Sequence, residues 1–203
     1  MMMLRWLILL LMGLNFSTLV SAAPIAVVEA VQEKAAYQRE GKQEPLKKGI
    51  ELRNGDIITT GAKSRVAIRF WDSSLVRLGA HARVSFERLI PPTKPKSGTL
   101  TGLFNVLEGI FRFTSNKKPQ VEVLVGNTIA IGIRGTDVYA LAQADKDLVC
   151  LIEGAIQVQA GEVKTMLTQP REGFIVPKGQ PPLPVSLIPE DKFQKWLENT
   201  ELQ

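Results

Sequence analysis

Apolar and polar side chains alternate along most of this chain with a period of two, and that period admits few architectures. In Arg65-Val66-Ala67-Ile68-Arg69-Phe70, the side chains of Val66, Ile68 and Phe70 share one face and both arginines take the other, as in a half-buried β-strand. The pattern returns at Val84 and Phe86, at Val121, Val123 and Val125, at Ile129, Ile131 and Ile133, and at Ile156 and Val158. Gly, Pro, Asn and Asp punctuate the runs. Many short strands with regular turn signals specify an all-β fold, a single wound β-sandwich or β-roll, and argue against βαβ units.

Two stretches depart from this period. Glu29 to Glu40 is rich in helix formers and passes for a helix on propensity alone, although propensity is a weak guide. After Pro189, the residues Phe193, Trp196 and Leu197 fall at i, i+3 and i+4, which predicts a short C-terminal helix with one apolar stripe. Such a stripe either docks on the domain or enters a partner's groove. Pro181-Pro182-Leu183-Pro184 reads as a stiff linker before it. The expected organisation is a β domain over 23–178, then linker and helix over 179–203.

The N-terminus has the anatomy of a secretory signal peptide over residues 1–22: Arg5, an apolar run from Trp6 to Leu14, then the small and polar stretch Asn15 to Ala23. A spanning helix needs about 20 consecutive apolar residues. Gly13, Asn15, Ser17 and Thr18 break the run here, so no stable membrane span is expected after cleavage. Cleavage after Ala22 is preferred over cleavage after Ala23, which would place Pro24 at the new N-terminus. The expected address is the periplasm or the cell exterior.

Loss of Arg5 lowers the formal charge from +5 to +4. Such a mild excess suits anionic envelope surfaces and falls short of a nucleic-acid footprint. Cys150 is the single cysteine, so no internal disulfide forms. It sits in Leu148-Val149-Cys150-Leu151-Ile152, an apolar run that predicts an inert, buried thiol.

Catalytic chemistry finds little footing. His81 is the single histidine and lies in the connector Gly79-Ala80-His81-Ala82-Arg83, with no nucleophile or carboxylate beside it. One His and one Cys fall short of a zinc set. Asp145 and Asp147 flank Lys146 and read as a solvated turn, without the pattern of a calcium loop. No glycine-rich phosphate loop occurs. No enzyme activity and no cofactor are expected. Lys94, Lys96, Lys117 and Lys118 lie in loops; gathered at one end of the sheet they would attract an anionic glycan or lipid headgroup.

An internal echo links Leu107-Glu108-Gly109-Ile110-Phe111-Arg112-Phe113 with Ile152-Glu153-Gly154-Ala155-Ile156-Gln157-Val158, and Glu172-Gly173 offers a third instance. Glycine there permits φ > 0 or a bulge, so each unit reads as a bend in a wound sheet.

Three ordered motifs over roughly residues 45–160 resemble the FecR domain, the periplasmic module of iron-dicitrate sensor-type proteins. The first is Leu52-Arg53-Asn54-Gly55-Asp56-Ile57-Ile58-Thr59-Thr60-Gly61, followed by Ser64 and Ala67 to Leu78, in which Ser73 replaces the glycine of the family's Asp-Gly-Ser turn after Asp72. The second is the bend at Gly109. The third is Ile129 to Ala140, containing Gly132-Ile133-Arg134-Gly135-Thr136, followed by the strand that leads to Gly154. The resemblance singles out Gly55, Asp56, Gly61, Asp72, Gly109, Gly132, Arg134, Gly135, Thr136 and Gly154 as signature residues, read as structural. Arg134 can reach Asp137 or Glu153 as a buried ion pair, or meet an anion or a partner.

The resemblance implies a non-enzymatic sensory or protein-binding module in envelope signalling, with an envelope protein as partner. The sigma-factor-controlling cytoplasmic region of classical members has no counterpart expected here, because only Met1 to Arg5 precede the apolar run. The alternative is a peptidoglycan or surface-polymer binder, a cell-wall glycan being its ligand.

Overall fold

The computed structural model describes residues 23–90, 99–115, 117, 119–133 and 135–202. The signal-peptide reading, Arg134, Lys94, Lys96 and Lys118 fall outside them.

The chain enters through β1 (Ala26–Gln32), forms the hairpin of β2 (Ala35–Arg39) and β3 (Lys42–Pro45), and continues through β4 (Glu51–Leu52) and β5 (Ile57–Thr60). A second hairpin joins β6 (Arg65–Phe70) to β7 (Leu75–Leu78), and β8 (Arg83–Glu87) precedes the long β9 (Thr101–Thr114). Three more hairpins pair β10 (Gln120–Val125) with β11 (Ile129–Ile133), β12 (Asp137–Ala142) with β13 (Lys146–Glu153), and β14 (Ile156–Ala160) with β15 (Val163–Leu167). β16 (Glu172–Pro177), β17 (Ser186–Leu187) and helix α1 (Glu190–Glu198) come last.

These strands make two sheets that share one member. Sheet A has the order β4-β1-β6-β7-β9-β12-β13-β16-β17 and is antiparallel throughout. Sheet B has the order β3-β2-β5-β8-β9-β10-β11-β14-β15, antiparallel except for the parallel pair β9 and β10. β9 is central to both. Leu103 to Glu108 pair with β8, and Gly109 to Thr114 pair with β12. The all-β, wound architecture read from the period of two is therefore present, with the short C-terminal helix.

The parity of β9 records its passage between sheets. Phe104 and Val106 are buried in the first half, Phe111 and Phe113 in the second, so the inward set shifts by one residue across Leu107-Glu108-Gly109. The main core lies between the sheets. Phe104 sits at its centre, edge-on to Phe70 at 5.5 Å and to Phe86 at 5.6 Å, and tilted against Phe111 and Phe113, both at 5.9 Å.

Several local expectations change. The helix-prone stretch Glu29 to Glu40 is the end of β1, a turn at Glu33 with φ 60°, and β2. Pairing of β1 with β6 and of β2 with β5, with Val28 and Tyr37 buried, overrides the local preference. Asp147 is not in a solvated turn: it is fully buried, accepting hydrogen bonds from Lys178 Nζ at 2.5 Å and Thr128 Oγ1 at 2.5 Å. Asp145 is the exposed member, paired with Lys146. Room for Asp147 comes from Gly126, where a Cβ would lie 2.0 Å from Asp147 Oδ1.

Helix α1 docks on the outer face of sheet A, the face turned away from the main core. There Tyr139, Leu148 and Cys150 form a second apolar cluster with Ile188 and Phe193, and Trp196 stacks on Tyr139 at 5.2 Å with 5° between the rings. Cys150 is buried as expected, but beneath the helix, and burial pushes its thiol up to about 12. Burial also raises the Tyr139 hydroxyl well above its ordinary range. The proline-rich linker is tied down: Leu183 N donates to Ile175 O at 2.9 Å and Ser186 pairs with Gly173. Gly173, the third instance of the echo, is no bend; a Cβ there would lie 2.6 Å from Ile188 Cδ1, so it seats that side chain.

Candidate functional site

The first signature segment builds a turn around a buried carboxylate. Asp56 is fully buried and accepts from Arg39 Nε at 2.8 Å, Arg39 Nη2 at 2.7 Å and the Arg53 amide at 2.8 Å, while Gly55 supplies φ +89° in the turn before it. Gly61 donates its amide to Ser64 Oγ at 3.1 Å, and that hydroxyl donates to Lys34 O at 2.5 Å. Asp72 accepts from the Ser74 amide at 2.9 Å and the Leu100 amide at 3.2 Å. Ser73 adopts φ 71°, the left-handed conformation for which the family uses glycine, so the hairpin keeps its shape.

The remaining signature residues gather where the chain crosses between sheets. Gly109 bends β9 with φ +78°, and a Cβ would come within 2.2 Å of His81 O. His81 is an exposed turn residue whose backbone, rather than its imidazole, forms this contact. Gly135 and Thr136 carry the chain from sheet B to sheet A, and Gly154 carries it back. A Cβ on Gly154 would lie 2.9 Å from both Gly135 O and Thr136 Cγ2, so the two crossings touch.

Asp137, one of the carboxylates within reach of Arg134 by sequence, is held by Arg112. Arg112 Nε donates to Oδ1 at 2.9 Å and Nη2 to Oδ2 at 2.7 Å, and Nη1 reaches Glu201 beyond α1 at 2.7 Å. Arg112 carries no local signal of this role. Its pairing depends on the register of β9 against β12, where Arg112 opposes Tyr139 and Thr114 opposes Asp137.

Gly132 stands apart from the other signature glycines. It has no positive φ, and a Cβ there would meet nothing within 4 Å, so neither backbone nor packing requires glycine. Glycine inside a strand costs about 0.5–1 kcal/mol and often marks close approach by a ligand or another backbone. Gly132 forms the floor of a groove of about 670 Å³ on the outer face of sheet B, lined by Gln120, Glu122, Ala130, Gln157 and Met166 among others. One cross-strand row, Glu122-Gly132-Gln157-Met166, spans it. Sheet A has α1 on its outer face; among the described residues, no helix covers this part of sheet B.

The chain belongs to the FecR protein family, whose model matches residues 56–164. The match runs from the buried Asp56 to β15 and includes all three signature motifs from that point on. No curated protein matches the sequence. Among solved structures, two crystal structures of a candidate anti-sigma factor from Parabacteroides distasonis ATCC 8503 share this fold, each at 19% identity, with TM-scores of 0.56 and 0.55. Each alignment covers 70% of this chain, which spans 63% and 64% of the length of those two chains.

Proposed function

We propose that this chain is a sensory or protein-binding module of the bacterial envelope, exported by residues 1–22 and working without catalysis, which receives an envelope protein on the outer face of sheet B. The observation that carries the reading is Gly132: a residue the fold does not require keeps the floor of an exposed groove open. Family membership and the anti-sigma-factor description of its structural neighbours support a place in signalling. The other signature residues sit at turns and at crossings between the sheets.

Photo-cross-linkers placed at Gln157 on the groove and at Lys192 on α1 test this in intact cells. A partner captured from Gln157, not from Lys192, and lost when Gly132→Gln fills the floor, supports the reading; equal capture from both positions defeats it. N-terminal sequencing of the extracted protein tests export, with Ala23 expected first.

The amide-rich groove and the mild positive charge favour a second reading, a surface-polymer binder. Retention on purified peptidoglycan at low salt, lost with Gly132→Gln, would move the assignment there.

A further inference from the structure

The four edges of the two sheets are not equally protected. Sheet A ends in β4 and β17, each two residues long. Sheet B ends on one side in β3, blunted by Pro45 and by Lys42 and Glu44. Its other edge, β15, is five residues long, Val163-Lys164-Thr165-Met166-Leu167, with no proline and a single charge. Val163 is 46% exposed and Met166 49%. An edge of this kind is a template for another strand.

The pairing of β15 with β14 fixes which groups it offers. The hairpin closes at Ala160 and Val163 across Gly161 and Glu162, and Thr165 opposes Val158. In a two-residue hairpin the closing pair exchanges both backbone bonds, and such pairs alternate with open ones. The amides and carbonyls of Val163, Thr165 and Leu167 therefore point toward β14. Those of Lys164 and Met166 point outward.

We infer that β15 is the seat of a symmetric dimer, in which two copies pair this strand antiparallel about Thr165. In that register Thr165 faces Thr165 of the second copy as an open pair, where side chains come closest, and threonine pairs favour such positions. Lys164 faces Met166 on both sides of the axis, and these are the residues with outward backbone groups, so each pair exchanges both hydrogen bonds. Val163 faces Leu167, whose own side chain is already buried in the core opposite Ile156. No like charges oppose one another. The strand is complementary to itself in charge and hydrogen-bond phase, which an isologous contact requires. The outer face of sheet B becomes continuous across the axis, with the two Gly132 grooves on the same side. The inference does not depend on what those grooves bind.

Sedimentation velocity on residues 23–203, loaded from about 5 to about 500 µM to bracket the affinities of small interfaces, should show reversible monomer and dimer. Met166→Lys places lysine opposite lysine twice and should weaken the dimer at least about tenfold. Met166→Glu creates two Lys-Glu pairs and should leave the dimer intact but salt-sensitive, while Lys164→Glu with Met166→Lys should restore it. All three substitutions are on exposed positions, and an unchanged melting temperature excludes misfolding. A monomer throughout the range, or equal loss from Met166→Lys and Met166→Glu, overturns the proposal.

Discussion

Arg112 on β9 grips Asp137 on β12 through two parallel hydrogen bonds of 2.9 and 2.7 Å, with both side chains about nine-tenths buried. The pair ties the second half of the shared strand to the residue that follows the Gly135-Thr136 crossing. Arg112→Met leaves a buried carboxylate without its fork and should cost about 3 kcal/mol, read as a fall in thermal midpoint. Asp137→Leu added to it should recover most of the loss, since an apolar pair needs no partner. A double variant no more stable than Arg112→Met would show that the pair's worth lies elsewhere.

Gly109 and Gly132 should respond in opposite ways to the same change. Gly109→Ala puts a Cβ 2.2 Å from His81 O in a backbone with φ +78°, and a loss of at least about 2 kcal/mol is expected from denaturant titration. Gly132→Ala meets nothing and should stay within about 0.5 kcal/mol of the parent.

Cys150 reports on helix docking. Burial raises its thiol from an ordinary value of 9.0 to about 12, so its contribution to stability is fully present below pH 9 and is lost as pH rises from 9 to 12. At pH 8 the folded chain should resist iodoacetamide. Trp196→Ala removes the stack on Tyr139, and intact-mass measurement should then show faster alkylation with the sheets still folded. Alkylation as slow as in the parent would mean that Phe193 and Ile188 alone hold the helix down.

Lys178 arches over the β10–β11 turn, bonding Asp147 Oδ2 at 2.5 Å and Gly126 O at 3.0 Å. Lys178→Met leaves Asp147 with Thr128 alone, and a loss of about 2 kcal/mol is expected, discounted for the partial exposure of the lysine. Chemical denaturation of Lys178→Met against Lys146→Met, which cuts an exposed pair, separates the two environments.

The strands were legible because each carries its own evidence: Val66, Ile68 and Phe70 declare a buried face without reference to any neighbour. The helix over Phe193 to Leu197 was legible for the same reason. Partnerships across sequence were not. Arg112 and Asp137 lie 25 residues apart and meet only once β9 and β12 are in register. Asp147 looked solvated because its neighbours Asp145 and Lys146 are, whereas its burial depends on the missing side chain of Gly126 and on a lysine 31 residues away. The parity shift between Val106 and Phe111 was present in the sequence and marks the sheet crossing; the glycine echo pointed at the same place. Within the signature, the turns around Gly55 and Asp72 followed from residue chemistry. The distinction between Gly132 and the other glycines needed the atoms around each.

Because β9 is the fifth of nine strands in either sheet, neither layer can come apart by itself. Extracting it would strip a neighbour from β7 and β12 in one layer and from β8 and β10 in the other, splitting both layers into four-strand halves. The chain should therefore lose its structure in a single step, read as coincident transitions of near- and far-ultraviolet circular dichroism on heating.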